Sequence, residues 1–394
     1  MKKLEKSVPV IRFKGFSEAW EQRKLGEDVN FLNGRAYSQK ELLDKGKYKV
    51  LRVGNFNTND RWYYSDLELE ENKYANRGDL LYLWATNFGP EIWNQEKVIY
   101  HYHIWKLKIM NINVSKQYLY TWLITDKERI KQSTNGTTMV HVTKGHIEQR
   151  EFQIPPNLTE QQKIGTFFKQ LDDTIALHQR KLDALKLMKK GFLQQMFPKI
   201  EADIPEIRFA DFDGKWEQRK LGEIFNERSE RSADGELISV TINSGVVKAS
   251  KLEKKDNSSF DKSNYKVVKK GDIAYNSMRM WQGASGYSSY DGILSPAYTV
   301  IYPRKDIDTI FIAYMFKKID MIQTFQRNSQ GLTSDTWNLK FPSLSTIKIK
   351  IPANDEQIKI TNLFQKLEYT SILHQNQIEM LKKVKKAYLQ TMFI

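Results

Sequence analysis

Two sets of loop-like stretches concentrate side chains suited to hydrogen bonding with a polyanion. The first set begins with Arg35 and Tyr37 in NGRAYS and continues with Arg52, Asn55, Asn57 and Arg61 in LRVGNFNTNDRW. Thr86 and Asn87 follow in LWATNFG, and Thr137 and Thr138 in QSTNGTTMVHVT. The second set has Asn243 in VTINSGV, then Lys248, then Asn276, Arg279 and Gln282 in NSMRMWQGASG. Arg327 and Thr333 close it in QRNSQGLTSDTW. Arg and Lys match the guanine edge, Asn and Gln the adenine edge, and Ser and Thr serve either. Lys, Arg and backbone amides hold phosphates. Asn and Gly are also ordinary turn formers, so any one of these residues can be a plain turn position. The reading rests on the two sets together.

Bulk composition favours the same partner. The 394 residues carry a formal charge of +15, and 12% are aromatic. A surplus of that size favours a polyanion such as nucleic acid. The absence of Cys excludes disulfides, thiolate metal sites and a cysteine nucleophile. MKKLEKSVPVIRF has a basic head but no apolar run, so it does not read as a secretory signal. No stretch approaches the 18 apolar residues of a membrane span. A cytoplasmic protein is expected.

The elements that must position these loops are duplicated. WEQRKLGE at Trp20 to Glu27 returns unchanged at Trp216 to Glu223, and 216 − 20 gives an offset of 196. PVIRFKGF at Pro9 and PEIRFADF at Pro205 share that offset. So do the segments Glu160 to Phe197 and Glu356 to Phe393. Each follows an Ile-Pro pair, and Pro disfavours helix in the residue before it, so a helix is expected just beyond. Thr159 or Asp355 is a candidate cap. Ile164, Phe168, Leu171, Ile175, His178, Leu182, Leu185, Lys189, Phe192 and Met196 alternate steps of four and three, a heptad seam. The second copy keeps the frame from Ile360 to Met392. Each helix would be roughly 57 Å long at 1.5 Å per residue. Helices of that length need a partner, and the other copy running antiparallel is the expected one.

Between the duplicated ends the halves diverge. Gly78-Asp79 and Gly271-Asp272 persist, each before an apolar run. YKVLRV, KVIYHYHIWKLKI and AYTVIYP read as strands. YLYTWLITDKERIKQ at Tyr118 and FIAYMFKKIDMIQTF at Phe311 read as matching amphipathic helices. The expected fold is α/β (α+β) with an internal pseudo-two-fold repeat. Its parts are a globular domain at 1–158, a helix at 159–197, a second globular domain at 198–354 and a helix at 355–394. Identity between copies cannot encode the reading of two different targets. Trp20, Arg23, Trp216 and Arg219 are therefore structural or partner-facing, and Lys190 and Lys386 on the basic helix ends are candidates for DNA backbone or a partner protein, or are an ordinary solvated helix face.

This ordered set resembles the specificity subunit of type I restriction-modification systems. The likeness rests on both WEQRKLGE copies, the Gly-Asp landmarks and GTTMVHVTKGHIEQREFQIPPNLTEQQKI. The helices ending LQQMF and LQTMF complete it. The resemblance implies two target recognition domains, each reading one half of a bipartite, asymmetric DNA site, on two long antiparallel helices that set the gap. It implies two methyltransferase subunits, which bind S-adenosylmethionine and methylate adenine N6. It also implies up to two restriction subunits, which use ATP and Mg, and no catalysis or cofactor in this chain itself. In agreement, no Asn/Asp-Pro-Pro-aromatic motif occurs, and WQGASG has no Lys to make a phosphate loop. A coiled-coil adaptor that does not read DNA is the alternative.

Overall fold

The structure is a computed structural model that describes residues 8–56, 59–85, 88–133, 142–252 and 260–393. It divides into two compact units, Met1–Gln179 with Asn376–Ile394, and Arg180–Gln375. The cuts at 179 and 375 differ by 196, the offset of the sequence repeat. Each unit thus joins one divergent region to half of its own long helix and half of the other copy's.

The first unit holds a four-stranded antiparallel sheet in the order Val29–Asn33, Ile104–Ile109, Leu80–Leu83, Gly89–Ile92. A second sheet runs Tyr63–Ser65, Tyr48–Leu51, Val98–Tyr100, Tyr74–Ala75, with its central pair parallel. KVIYHYHIWKLKI therefore makes two strands, one in each sheet, and the turn His101–His103 passes between them. The helix Lys116–Ser133 supplies Tyr118 and Trp122 to a core that includes Phe31, Tyr82, Trp105 and Phe152.

The second unit repeats the first sheet as Phe225–Glu227, Tyr298–Pro303, Ile273–Asn276, Ser285–Tyr287. In place of the second sheet it has two ribbons, Ile238–Thr241 with Gly245–Lys248 and Lys266–Val268 with Gly292–Leu294. The single helix expected from Phe311 is two, Thr309–Met315 and Ile319–Asn328. The chain breaks at Lys318, which is extended and 3% exposed. Its ammonium turns inward to Pro198 O at 2.7 Å and Asp320 at 3.0 Å, satisfying a buried charge that helical periodicity does not foresee.

Both Gly-Asp landmarks are turns. Gly78 and Gly271 have φ of 91° and 100°, which favours glycine. The following carboxylates, Asp79 and Asp272, accept the N–H groups of Asn76 and Lys269, each at 2.8 Å. The strand that follows is thereby started at the same place in each unit.

The duplicated octapeptide is a strand and a short helix. Glu21–Lys24 pairs with Glu151–Ile154, and Glu217–Lys220 with Lys348–Ile351, so each copy grips the strand leading into a long helix. Trp20 meets Tyr118 and Phe393 edge-on in the first unit, and Trp216 meets Phe197 in the second. The long helices span Leu158–Gln195 and Asn354–Thr391. Asn157, rather than Thr159, caps the first, its side-chain oxygen accepting from Thr159 N–H at 2.9 Å. At the helix entrances Arg12 clamps Glu160 at 2.6 and 2.7 Å, and Arg208 clamps Glu356 at 2.8 and 2.7 Å. The seam positions expected on both helices are all buried or half-buried. Within the first unit Phe168 packs on Phe393, Phe167 on Tyr388, and Asp172 pairs with Lys385, so the two helix segments run antiparallel. Phe197 on Phe364 and Lys189 on Glu368 give the same sense in the second unit.

Candidate nucleic-acid interface

In the first unit the candidate residues gather where Tyr48–Leu51 ends and the His101–His103 turn begins. Arg52 donates to Arg61 O at 3.0 Å, and its guanidinium lies 4.3 Å from the Tyr63 ring centre. Arg61 lies 5.0 Å from the same ring and 3.9 Å from the Asp44 carboxylate, and its side chain is 68% exposed, so it stands at the surface with one exposed ion pair. Asn55 accepts from Arg52 N–H at 3.0 Å and donates to Asn59 O and Arg61 O at 3.2 and 3.1 Å. Its amide is therefore committed to shaping the loop, leaving little capacity for a base edge.

Arg35 donates to Glu41 at 2.6 Å and lies 5.3 Å from the Tyr37 ring. The Tyr37 hydroxyl is buried, and burial pushes its pKa up. Tyr37 thus faces inward, its ring stacked on His101 at 6.5 Å, and supports the loop rather than offering a phenol to solvent. Asn57, Thr86, Asn87, Thr137 and Thr138 lie outside the described residues.

Sequence reasoning missed the His101–Tyr102–His103 turn. Tyr102 is 40% exposed, and Trp84 donates its indole N–H to Tyr102 O at 2.7 Å. His101 is pulled down to about 4, by burial first and then by His103 and Arg52, so it is neutral at neutral pH. The available signal was HYH between two apolar runs, which read as one continuous strand.

In the second unit Asn243 is exposed on the turn between Ile238–Thr241 and Gly245–Lys248. Ser244 N–H donates to Thr241 Oγ1 at 2.9 Å, and Lys317 to Ile242 O at 3.1 Å, which hold that turn. Lys248 is occupied by Glu236 at 2.6 Å and lies 5.2 Å from the Tyr290 ring. Asn276 accepts from Met278 N–H at 3.0 Å and ends its strand. Arg279 beyond it is exposed, and Gln282 is half-buried. Trp281 donates to Met278 O at 3.1 Å and packs edge-on against Trp337 at 5.2 Å, a loop-packing role. Leu339 N–H donates to Ser277 O at 2.8 Å, stitching the 276–282 turn to the loop that carries Thr333. Arg327 reaches Thr324 at 3.2 Å, and Arg327 and Thr333 are both exposed.

The residues expected to face a partner protein divide. Trp20 and Trp216 are 6% and 3% exposed, core residues with little surface to offer. Their apolar area is consumed by the helix ends landing on them, which corrects the partner-facing half of that expectation. Arg23 pairs with Glu21 and, at 3.3 Å, with Asp28. Arg219 pairs with Glu217 at 3.0 Å. Lys190 and Lys386 stand exposed on the long helices. Among the described residues no helix is long and apolar enough to cross a membrane.

Comparison with known proteins agrees with this geometry. The curated MjaVIII type I restriction enzyme specificity subunit of Methanocaldococcus jannaschii is 24% identical, covering 94% of this chain and 91% of the relative. The crystal structure of a type I restriction-modification S subunit from M. genitalium superposes with a TM-score of 0.64 at 16% identity, covering 98% and 99% of the two chains. A chain from a structure of the type I R-M system's assembly and conformational transition gives 0.50 at 13%, covering 94% and 96%. At these identities the structural likeness speaks to the fold alone. The family model of the type I restriction modification DNA specificity domain matches residues 17–187 and again 213–383, both bounds displaced by the 196 of the repeat, and the chain therefore belongs to that family.

Proposed function

We propose that this chain is the sequence-reading subunit of a type I restriction-modification complex and is itself non-catalytic. Each unit reads one part of a bipartite, asymmetric DNA site. Two methyltransferase subunits carrying S-adenosylmethionine methylate adenine N6 in the half-sites. Up to two restriction subunits using ATP and Mg add cleavage, and the complex works in the cytoplasm. The observation that carries this reading is the duplication itself: one frame used twice, at a constant offset, holding two loop sets that differ in sequence. A frame used twice for one target would have no need of divergent loops.

Co-expression with the cognate methyltransferase subunit in a methylation-free host, followed by single-molecule sequencing, tests it. A bipartite motif with a fixed gap is expected. No new N6-methyladenine from a soluble complex would favour the adaptor alternative. Methylation at one short, undivided site would mean that only one unit reads.

A further inference from the structure

Lys317 and Lys318 stand side by side at the break between Thr309–Met315 and Ile319–Asn328, and their side chains hold backbone oxygens in different places. Their own amides are pinned, Lys317 N–H on Tyr314 O at 2.9 Å and Lys318 N–H on Met315 O at 3.0 Å. The Lys318 ammonium goes to Pro198 O, just past the end of the first long helix. The Lys317 ammonium joins two loops instead. It donates to Ile242 O at 3.1 Å and to Gly283 O at 2.5 Å. Ile242 directly precedes Asn243, and Gly283 directly follows Gln282. One cation therefore ties together the carbonyls beside two side chains whose amides suit an adenine edge.

A second point fixes the same two loops. A Cβ at Gly286 would lie 2.9 Å from both Gly245 Cα and Val246 N, so the strand Ser285–Tyr287 runs backbone to backbone against the hairpin that carries Asn243. Gly283 has φ of 82°, and a Cβ there would lie 3.3 Å from Ile322 Cδ1, so the 276–283 turn rests on Ile319–Asn328. With the bases of the loops held by these glycines, Lys317 sets the distance between their tips. Stability alone is a poor reason for a lysine here. Both acceptors are neutral, and burial, then Lys189, pull its pKa down to about 8. A charge in a poorly solvated place is costly, and an apolar side chain of similar length would avoid that cost. A methionine, however, cannot hold two carbonyls at one point. We propose that Lys317 is a specificity-determining positioning residue, which touches no DNA and sets the spacing of Asn243 and Gln282 over the half-site read by Arg180–Gln375. The helix Lys116–Ser133 of the first unit has no such break, so the tie belongs to one half-site alone. The proposal rests on the DNA-reading function above and adds the residue that aligns two of its loops.

The test uses the full chain with its cognate methyltransferase subunit in a methylation-free host, comparing wild type with Lys317→Met by motif mapping, binding titrations over a salt series and thermal unfolding. Lys317→Met should relax one half of the methylated motif and leave the other half as in wild type. Discrimination at the affected positions should fall about tenfold, the loss of one bidentate base contact. The salt slope should not change, because no phosphate contact is removed. The melting midpoint should move by no more than about 4 °C, since relief of the buried charge opposes the loss of its two bonds. An unchanged motif would overturn the proposal. So would a salt slope lower by about 1 with the motif intact, which would make Lys317 a phosphate contact. Relaxation of both halves together, or a variant that does not fold, would also overturn it, by making Lys317 a general support of the unit. Failure of wild type to methylate any bipartite site would overturn the DNA-reading function instead, so the two failures are distinguishable.

Discussion

Lys189 on the first long helix donates to Glu368 on the second at 2.5 Å, inside one compact unit. Adding or subtracting 196 turns this pair into Lys385 and Asp172, which meet at 2.6 Å in the other unit. A lysine at a seam position thus finds a carboxylate across the helix pair in both copies. The side chains at the first pair are 36% and 41% exposed, so solvent screens them. A double-mutant cycle with Lys189→Ala and Glu368→Ala should give a coupling of about 0.5 kcal/mol, shrinking in 1 M salt. Denaturant unfolding at low and high ionic strength measures it. A coupling well above about 1 kcal/mol would mean that the pair is far more shielded than its exposure indicates.

The clamp at the helix entrance should behave differently. Glu356 is 1% exposed and receives both forks of Arg208. Glu356→Ala leaves a guanidinium without its counter-charge in a poorly solvated place, which costs about 3–5 kcal/mol when the pair is buried. The expected value is nearer the low end, because the Arg208 side chain keeps 14% exposure and a second acceptor in Gly214 O. Glu160→Ala in the other unit should cost a similar amount through Arg12. Thermal unfolding of each variant checks both. A change below about 1 kcal/mol in either would mean that the guanidinium reaches water after the mutation.

These two ion-pair systems mark the border of what the sequence made legible. The heptad frame, the helix lengths and the duplication were visible, because a 3.5-residue period and an exact repeat need no tertiary knowledge. The strand that splits at His101 was not, because a turn made of His and Tyr carries no Gly or Pro punctuation. Nor was the break at Lys318, which depends on an inward ammonium finding Pro198 O. In the candidate site Arg61 and Arg279 are outward, as a loop reader must be, whereas Tyr37 and Asn55 are spent on their own loops. Residue type alone cannot separate those cases, since the same Asn can read a base or staple a turn.

His101 gives a pH signature for the first unit. Its folded-state pKa is depressed to about 4, below the unfolded value of about 6.5. The unfolded chain therefore binds more protons between those values, and stability rises with pH in that window. The contribution is fully present above about 6.5 and is lost as pH falls toward about 4. Replacing His101 with Gln should flatten the stability profile of the chain between pH 6.5 and 4 and leave it unchanged above. Imidazole resonances that titrate near 6.5 in the folded chain would overturn this assignment.

Arg279 offers a way to tell base reading from phosphate holding. If it grips a phosphate, Arg279→Ala should weaken binding to all sequences alike and reduce the salt slope by about 1. If it forks onto a guanine, the same change should cost about 1–3 kcal/mol of discrimination at one position and relax the methylated motif there. Binding titrations over a salt series, together with motif mapping of the variant, separate the two.

Gly165 sets two physical effects against each other at a single position. It lies within the first long helix, where Gly to Ala normally gains about 1 kcal/mol of helix propensity. Yet a Cβ at 165 would meet Gln117 Cβ at 2.6 Å, Gln117 C at 2.8 Å and Tyr118 N at 2.8 Å. Two of those atoms are backbone, and Tyr118 is fully buried in the core, so the neighbouring helix cannot yield by turning one side chain. Overpacking of that kind costs about 1–3 kcal/mol, or more where backbone must shift. The clash should therefore win, and Gly165→Ala should lower the unfolding midpoint despite its better helix former. Gly191 is the internal control: it lies on the same helix with no neighbour within 4 Å of an added Cβ, so Gly191→Ala should raise the midpoint. Stabilisation by both substitutions would show that the first helix does not lie as close to Lys116–Ser133 as the geometry requires.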